Sequence, residues 1–142
     1  MRVADTSGLY AALVEGDANH LRARAELANP EPILIPAEIL AETAVLLQRR
    51  HGFATAAAAA HGLLSLPHVE VQPTHDDPWN DIASEARRVF HGSGGSLSLP
   101  DAIVVTWCRK RGLRPFSFDG GILAACKGAH TGRTRRALQA AP

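Results

Sequence analysis

Asp101 sits inside the apolar run SLSLPDAIVVTW, and Asp119 directly follows the strand-like tripeptide Phe116-Ser117-Phe118. A carboxylate in apolar surroundings is costly unless something pairs with it. Asp5 closes the apolar start Arg2-Val3-Ala4, and Glu42 lies within ILAETAVLLQ. On a helical wheel of ~100° per residue, Ile39, Leu40, Thr43, Ala44, Leu46 and Leu47 share one broad face. Glu42 falls on the shoulder of that face, and Glu38 lies further toward solvent. Each acid has a plain structural explanation. Asp5 and Asp119 could each cap a helix, Asp101 suits the positive end of a helix dipole, and Glu42 could be a solvated helix residue. Together they point further, because carboxylates brought close repel, and without a cation some must stay protonated. A hard divalent ion, Mg²⁺ or Mn²⁺ in its place, takes carboxylate oxygens and resolves the conflict.

The cations add a second hint. Arg109, Lys110, Arg111 and Arg114 lie between Asp101 and Asp119, and Arg49 and Arg50 follow Glu42 near the end of its helix. Net charge is only +1, but residues 1–107 hold 7 Lys/Arg against 13 Asp/Glu, a net of −6, and residues 108–142 hold 8 against 1, a net of +7. A basic end on an acidic body fits an anionic partner, and a phosphate-bearing one suits a metal site. For Arg133, Arg135 and Arg136 alone, a solvated tail is the simpler reading.

The elements must bring these groups together. At 142 residues, 46% hydrophobic and 20% charged, the chain has the size and composition of one soluble globular domain. No apolar run approaches the ~20 residues of a membrane span, and the start enters a strand pattern at once, so a cytoplasmic location is expected. Strands are expected at 2–5, 33–35, 68–72 and 113–118. Helices should alternate with them. The first is capped by Thr6 or Ser7, the second begins at Asp17 or Asn19, the third runs from Pro36 to about His51, and the Ala-rich fourth covers Phe53 to Leu66. A fifth, capped by Asp76 or Asp77 with Pro78 at its start, should reach Phe90 on the spacing of Trp79, Ile82, Ala83 and Ala86. A Gly/Ser linker, 91–96, leads to a central helix from Pro100 to Arg111, and a short helix follows Gly120 to Cys126. The domain is expected over 1–126, with a basic tail over 127–142. Strands alternating with helices imply an α/β fold: a central parallel sheet of four or five short strands, flanked by helices. In such sheets the working crevice lies beyond the carboxyl ends of the strands, where Asp5 and Asp119 fall.

Other chemistries find less support. Cys108 and Cys126 lack a CxxC spacing and read as buried thiols. None of the 7 histidines pairs at HxxxH or HxH spacing. No serine stands in a GxSxG elbow, the Gly/Ser segment lacks the ending of a P-loop, and Asp5-Thr6-Ser7 lacks the second Asp of a haloacid-dehalogenase-type phosphatase. A receiver-type phosphoacceptor would need a Lys after a late strand, and none directly follows Phe118.

VADTSGLYAAL, ILAETAVLLQRRHG, LSLPDAIVVTWCRKRG and FSFDGG resemble the four acidic motifs of PIN-domain nucleases, and within that group the VapC toxins of toxin–antitoxin pairs. The likeness runs from about Arg2 to Ala125. It implies a PIN fold and a Mg²⁺-dependent endoribonuclease. By resemblance, Asp5, Glu42, Asp101 and Asp119 form the acidic, metal-holding site, with Ser7 and Ser117 in supporting positions. It further implies an RNA substrate, gripped by cations among Arg49, Arg50, Arg109, Lys110, Arg111 and Arg114, a small VapB-like antitoxin, and homodimerisation through helices of the first half. Gly121 stands where the family often carries another polar group, and TGRTRRALQAAP does not read as a final strand. The alternative reading is a PIN-like module that holds RNA or a protein without useful catalysis.

Overall fold

The computed structural model describes residues 1–73 and 80–127. Ten elements have defined bounds: β1 (Arg2–Ala4), α1 (Thr6–Leu13), α2 (His20–Ala28), β2 (Ile33–Pro36), α3 (Ala37–His51), α4 (Phe53–Leu64), β3 (Val69–Gln72), α5 (Asn80–Gly92), α6 (Leu99–Arg111) and β4 (Arg114–Phe116). A further helix, α7, follows over 120–127. The expected cap at Asp76 or Asp77, with Pro78 and Trp79, lies outside the described residues. So does the tail beyond Lys127.

All strand pairs are parallel, in the order β3-β2-β1-β4. The chain lays down β1, β2 and β3 in one direction, then returns to place β4 on the free side of β1. That reversal makes the β1–β4 boundary a switch point, where the loops leaving the two strands diverge and open a crevice. Val3, Ala4, Ile33, Ile35 and Phe116 are fully buried, as expected of a parallel sheet covered by helices. Among these helices α6 packs on β1 and β4, and α5 packs on α6. Every residue from Ala102 to Cys108 is buried, so α6 is apolar all round because it is enclosed all round.

Several boundaries differ from expectation for identifiable reasons. β1 ends at Ala4, and Asp5 rather than Thr6 or Ser7 caps α1, since its side chain accepts from the Ser7 amide. β4 stops at Phe116, short of Phe118. Beyond it the Phe118 and Asp119 amides donate to the Ser7 and Ser117 hydroxyls, which takes them out of the sheet ladder. α4 ends at Leu64, where both the amide and the hydroxyl of Ser65 turn back to the His61 carbonyl. α5 runs on to Gly92, and the turn after it uses Gly94 and Gly95 at positive φ. The two cysteines are free and buried, as expected.

Candidate active site

Asp5 is the best enclosed of the acids, 2% exposed at the carboxyl end of β1. Three bonds converge on its Oδ2: from the Ser7 amide at 3.2 Å, the Ser7 hydroxyl at 2.6 Å and the Ser117 hydroxyl at 2.8 Å. Oδ1 takes part in none of them. Burial pushes the Asp5 carboxyl above its ordinary value, the bonds from Ser7 and Ser117 pull the other way, and the charge of Asp101 adds to the rise. An acid held in this state gains from a nearby cation.

The two serines also tie β1 to the segment after β4. Ser7 Oγ lies 3.2 Å from Ser117 Oγ. The Phe118 amide donates to Ser7 Oγ at 2.9 Å, and the Asp119 amide donates to Ser117 Oγ at 3.0 Å. The backbone that presents Asp119 is therefore anchored on the hydroxyls that anchor Asp5. Asp119 itself caps α7, accepting from the Ile122 amide at 2.9 Å. Asp101 completes a capping box on α6: its Oδ2 accepts from the Ser98 amide at 2.7 Å, and its own amide donates to Ser98 Oγ at 3.2 Å. Glu42 projects from α3 and accepts from the Thr6 hydroxyl at the start of α1. The capping roles foreseen for Asp5 and Asp119 are real, Asp101 adds a capping box to the dipole role foreseen for it, and none of these competes with a shared site: all three acids line one crevice.

That crevice is an open cavity of about 460 Å³ lined by Asp5, Glu42, Asp101 and Asp119, with Ser7 beside them. Four acids separated by up to 114 positions in sequence therefore meet. The cavity also holds a fifth acid, Asp17, with Asn19, from the loop between α1 and α2. Asp17 reads as a helix start in the sequence. Its Oδ1 does accept from the Asn19 amide at 2.8 Å, and no periodicity marks the loop that carries it into the crevice. Tyr10 and Arg50 complete one wall.

The remaining basic candidates lie elsewhere. Arg114 opens β4 at the opposite, amino end of the sheet, where it pairs with Glu31. Lys110 pairs with Asp81 of α5 at 3.1 Å. Arg109 donates to the Ala125 carbonyl at 3.3 Å and lines a second cavity between α5, α6 and α7. Arg111 ends α6, and Arg49 is exposed on α3.

Among the described residues, no three acidic, imidazole or thiol groups stand close enough to close on one ion with the side chains as placed. The donor chemistry nonetheless fits a hard cation: every acid at the cavity is an oxygen donor, one is desolvated, and Glu42 and Asp119 are exposed.

A parallel sheet flanked by helices is the fold the motifs implied, and the comparison at family level agrees. The chain belongs to the PIN-domain family, whose model matches residues 2–128. Among solved structures it is similar to that of Mycobacterium tuberculosis VapC20, described as a sarcin–ricin loop cleaving toxin. The two share 30% identity and superpose with a TM-score of 0.74, over 88% of this chain and 95% of the other. No curated protein sequence matches the chain.

Proposed function

We propose that the protein is a metal-dependent endoribonuclease, the toxin of a type II toxin–antitoxin pair. The observation that carries this reading is the convergence of Asp5, Glu42, Asp101 and Asp119 on one cavity at the β1–β4 switch point. Membership of the PIN family and likeness to an RNA-cleaving VapC toxin support it.

In this reading the four carboxylates hold one or two Mg²⁺ ions, or Mn²⁺. When bound, the metal polarises the phosphate and lowers the pKa of water. Asp5, fixed by Ser7 and Ser117, has the most restrained position. Asp119 and Asp101, held through their capping bonds, present their charges from α7 and α6. The carboxylates orient the attacking water for in-line hydrolysis, leaving a 5′-phosphate and a 3′-hydroxyl, and none acts as a covalent nucleophile. RNA is gripped through its phosphates, with single-stranded or looped segments favoured. Arg50 lies on the cavity, and Arg49, Arg109, Lys110, Arg111 and Arg114 contribute at most to outlying contacts. A VapB-like antitoxin would place a basic group in the acidic cavity. Val45, Phe53 and Leu64, exposed on α3 and α4, offer apolar surface for a homodimer.

The test is cleavage of RNA by the purified protein with Mg²⁺, with 5′-end sequencing of the products. EDTA should abolish cleavage, and Asp5→Asn should lower it by on the order of a hundredfold or more, since even outer-shell partners of a metal site are worth about 10–100-fold. A folded protein that binds RNA and cuts none with any divalent metal would instead be a binding module.

A further inference from the structure

Arg50 is the one cation among the described residues that line the acidic cavity. Opposite charge should draw it onto Asp17, Glu42 or another of the carboxylates there, yet no ion pair among the described residues joins it to any of them. Its guanidinium lies over the Tyr10 ring instead, 5.3 Å from the centroid, and Nη1 donates to the Tyr10 hydroxyl at 3.4 Å. The Tyr10 hydroxyl in turn meets His51 Nε2 at 3.0 Å, and the two rings sit 6.0 Å apart. A ring face attracts a guanidinium without consuming its planar fork of donors. The helix dipole explains a basic last turn of α3, which Arg49, Arg50 and His51 share. It does not explain why only Arg50 enters the cavity.

We propose that Arg50 binds a phosphate of the RNA backbone flanking the one that is cut, and that Tyr10, fixed by His51, is the positioning residue that keeps Arg50 off the carboxylates. This rests on the nuclease reading above. The flanking position follows from α3: Glu42, Leu46 and Arg50 form one stripe at four-residue spacing, and all three line the cavity. At 1.5 Å per residue, the Arg50 backbone stands about 12 Å along the helix from that of Glu42, and its guanidinium rests on the Tyr10 ring with no ion pair to an acid among the described residues, which favours a phosphate beside the one at the acids. Leu46 between them offers an apolar step for the intervening sugar and base.

The experiment uses a fluorescein-labelled single-stranded RNA, with anisotropy read in EDTA so that nothing is cut, and turnover read separately in Mg²⁺. Arg50→Ala should weaken binding about tenfold and flatten the salt dependence by ~0.7, the slope of one single-strand phosphate contact. In turnover it should raise KM and leave kcat nearly unchanged. Tyr10→Phe keeps the ring and loses the hydroxyl, and should weaken binding about threefold. Combined with Arg50→Ala, it should add nothing, since it acts through Arg50. Methylphosphonate replacement of single phosphates should reveal one flanking position whose neutralisation harms the wild type and leaves Arg50→Ala unaffected. An unchanged salt slope in folded Arg50→Ala overturns the proposal. So does a full additive loss in the double variant, or a fall in kcat with binding intact. Failure of the nuclease reading shows separately, as wild-type RNA cleavage that no divalent metal elicits, and the binding arm still decides the role of Arg50.

Discussion

At the scale of residues, the site depends on hydroxyls as much as on acids. Ser117 Oγ donates to Asp5 and accepts from the Asp119 amide, so its loss frees both acids at once. Ser117→Ala should cost about 1–3 kcal/mol of stability, because the buried Asp5 carboxylate loses a donor and the Asp119 amide loses its acceptor. It should also lower cleavage by about 10–100-fold, the usual worth of a group that orients metal ligands. Urea titration and a cleavage assay read the two effects. Asp5 behaves in the opposite sense. Its carboxylate is desolvated and faces the charge of Asp101, so without metal it opposes folding at neutral pH. Asn caps a helix about as well as Asp. Asp5→Asn should therefore melt in EDTA at or above the wild-type temperature. Saturating Mg²⁺ should raise the wild-type midpoint, following RT ln(1 + [L]/Kd), and leave that of Asp5→Asn nearly unmoved. A substantially lower midpoint for Asp5→Asn in EDTA would refute this account. The buried thiols have a simpler expectation. The neighbouring Cys126 sulfur, then burial, push the Cys108 thiol above its ordinary value. Cys108 should resist alkylation by iodoacetamide in the native protein and label readily in urea.

Two elements set the geometry of the crevice. α1 crosses the end of β4 so closely that a Cβ on Gly8 would lie 2.2 Å from the Phe116 carbonyl oxygen. That contact is with backbone, and only glycine permits it. Gly8→Ala should cost about 3 kcal/mol, the upper part of the range for overpacking, and should impair cleavage beyond its effect on stability, since Ser7 and Asp5 move with the helix. At the far end of the sheet, Glu31 gathers the amino terminus, Arg2 and Arg114. The hydrogen bonds from Arg114 and the terminal amine hold its carboxyl down at about 2. A depressed acid contributes stability above its unfolded value of 4.5. That contribution fades as pH falls from there toward 2. Glu31→Gln should thus narrow the gap to wild type between pH 5 and pH 2, which a series of thermal melts would measure. Arg2, 4% exposed, adds bonds to the carbonyls of Glu26, Asn29 and Glu31, so this end is a structural clamp, opposite the end that carries the acidic cavity.

Across the whole molecule, the strand order decides what the acids can do. Had β4 joined the sheet beyond β3, Asp119 would lie two strands farther from Asp5, and the serine bridge between them could not form. Order 3-2-1-4 makes their strands neighbours, with β1 in register from Arg2 opposite Arg114 to Ala4 opposite Phe116. α6, buried along Ala102 to Cys108, then leaves only its first turn, with Asp101, free to face the crevice.

Much of this was written locally. Apolar blocks bounded by Pro, Gly and Asn marked the strands and helices. The position of Asp5 and Asp119 at strand ends, and of Glu42 on the shoulder of an apolar face, depends on neighbours within a few residues. Such features follow from short-range sterics, capping and periodicity, so four of the acids and the α/β class could be read from the chain alone. The entry of Asp17 into the cavity, the capture of Arg50 by Tyr10, the dispersal of Arg109, Lys110 and Arg114 to other surfaces, and the contact of Gly8 with β4 could not. Each depends on which distant segments the sheet order brings face to face, and residue spacing along a chain carries no record of that. Sequence determined which groups could do chemistry; packing decided which of them share a cavity.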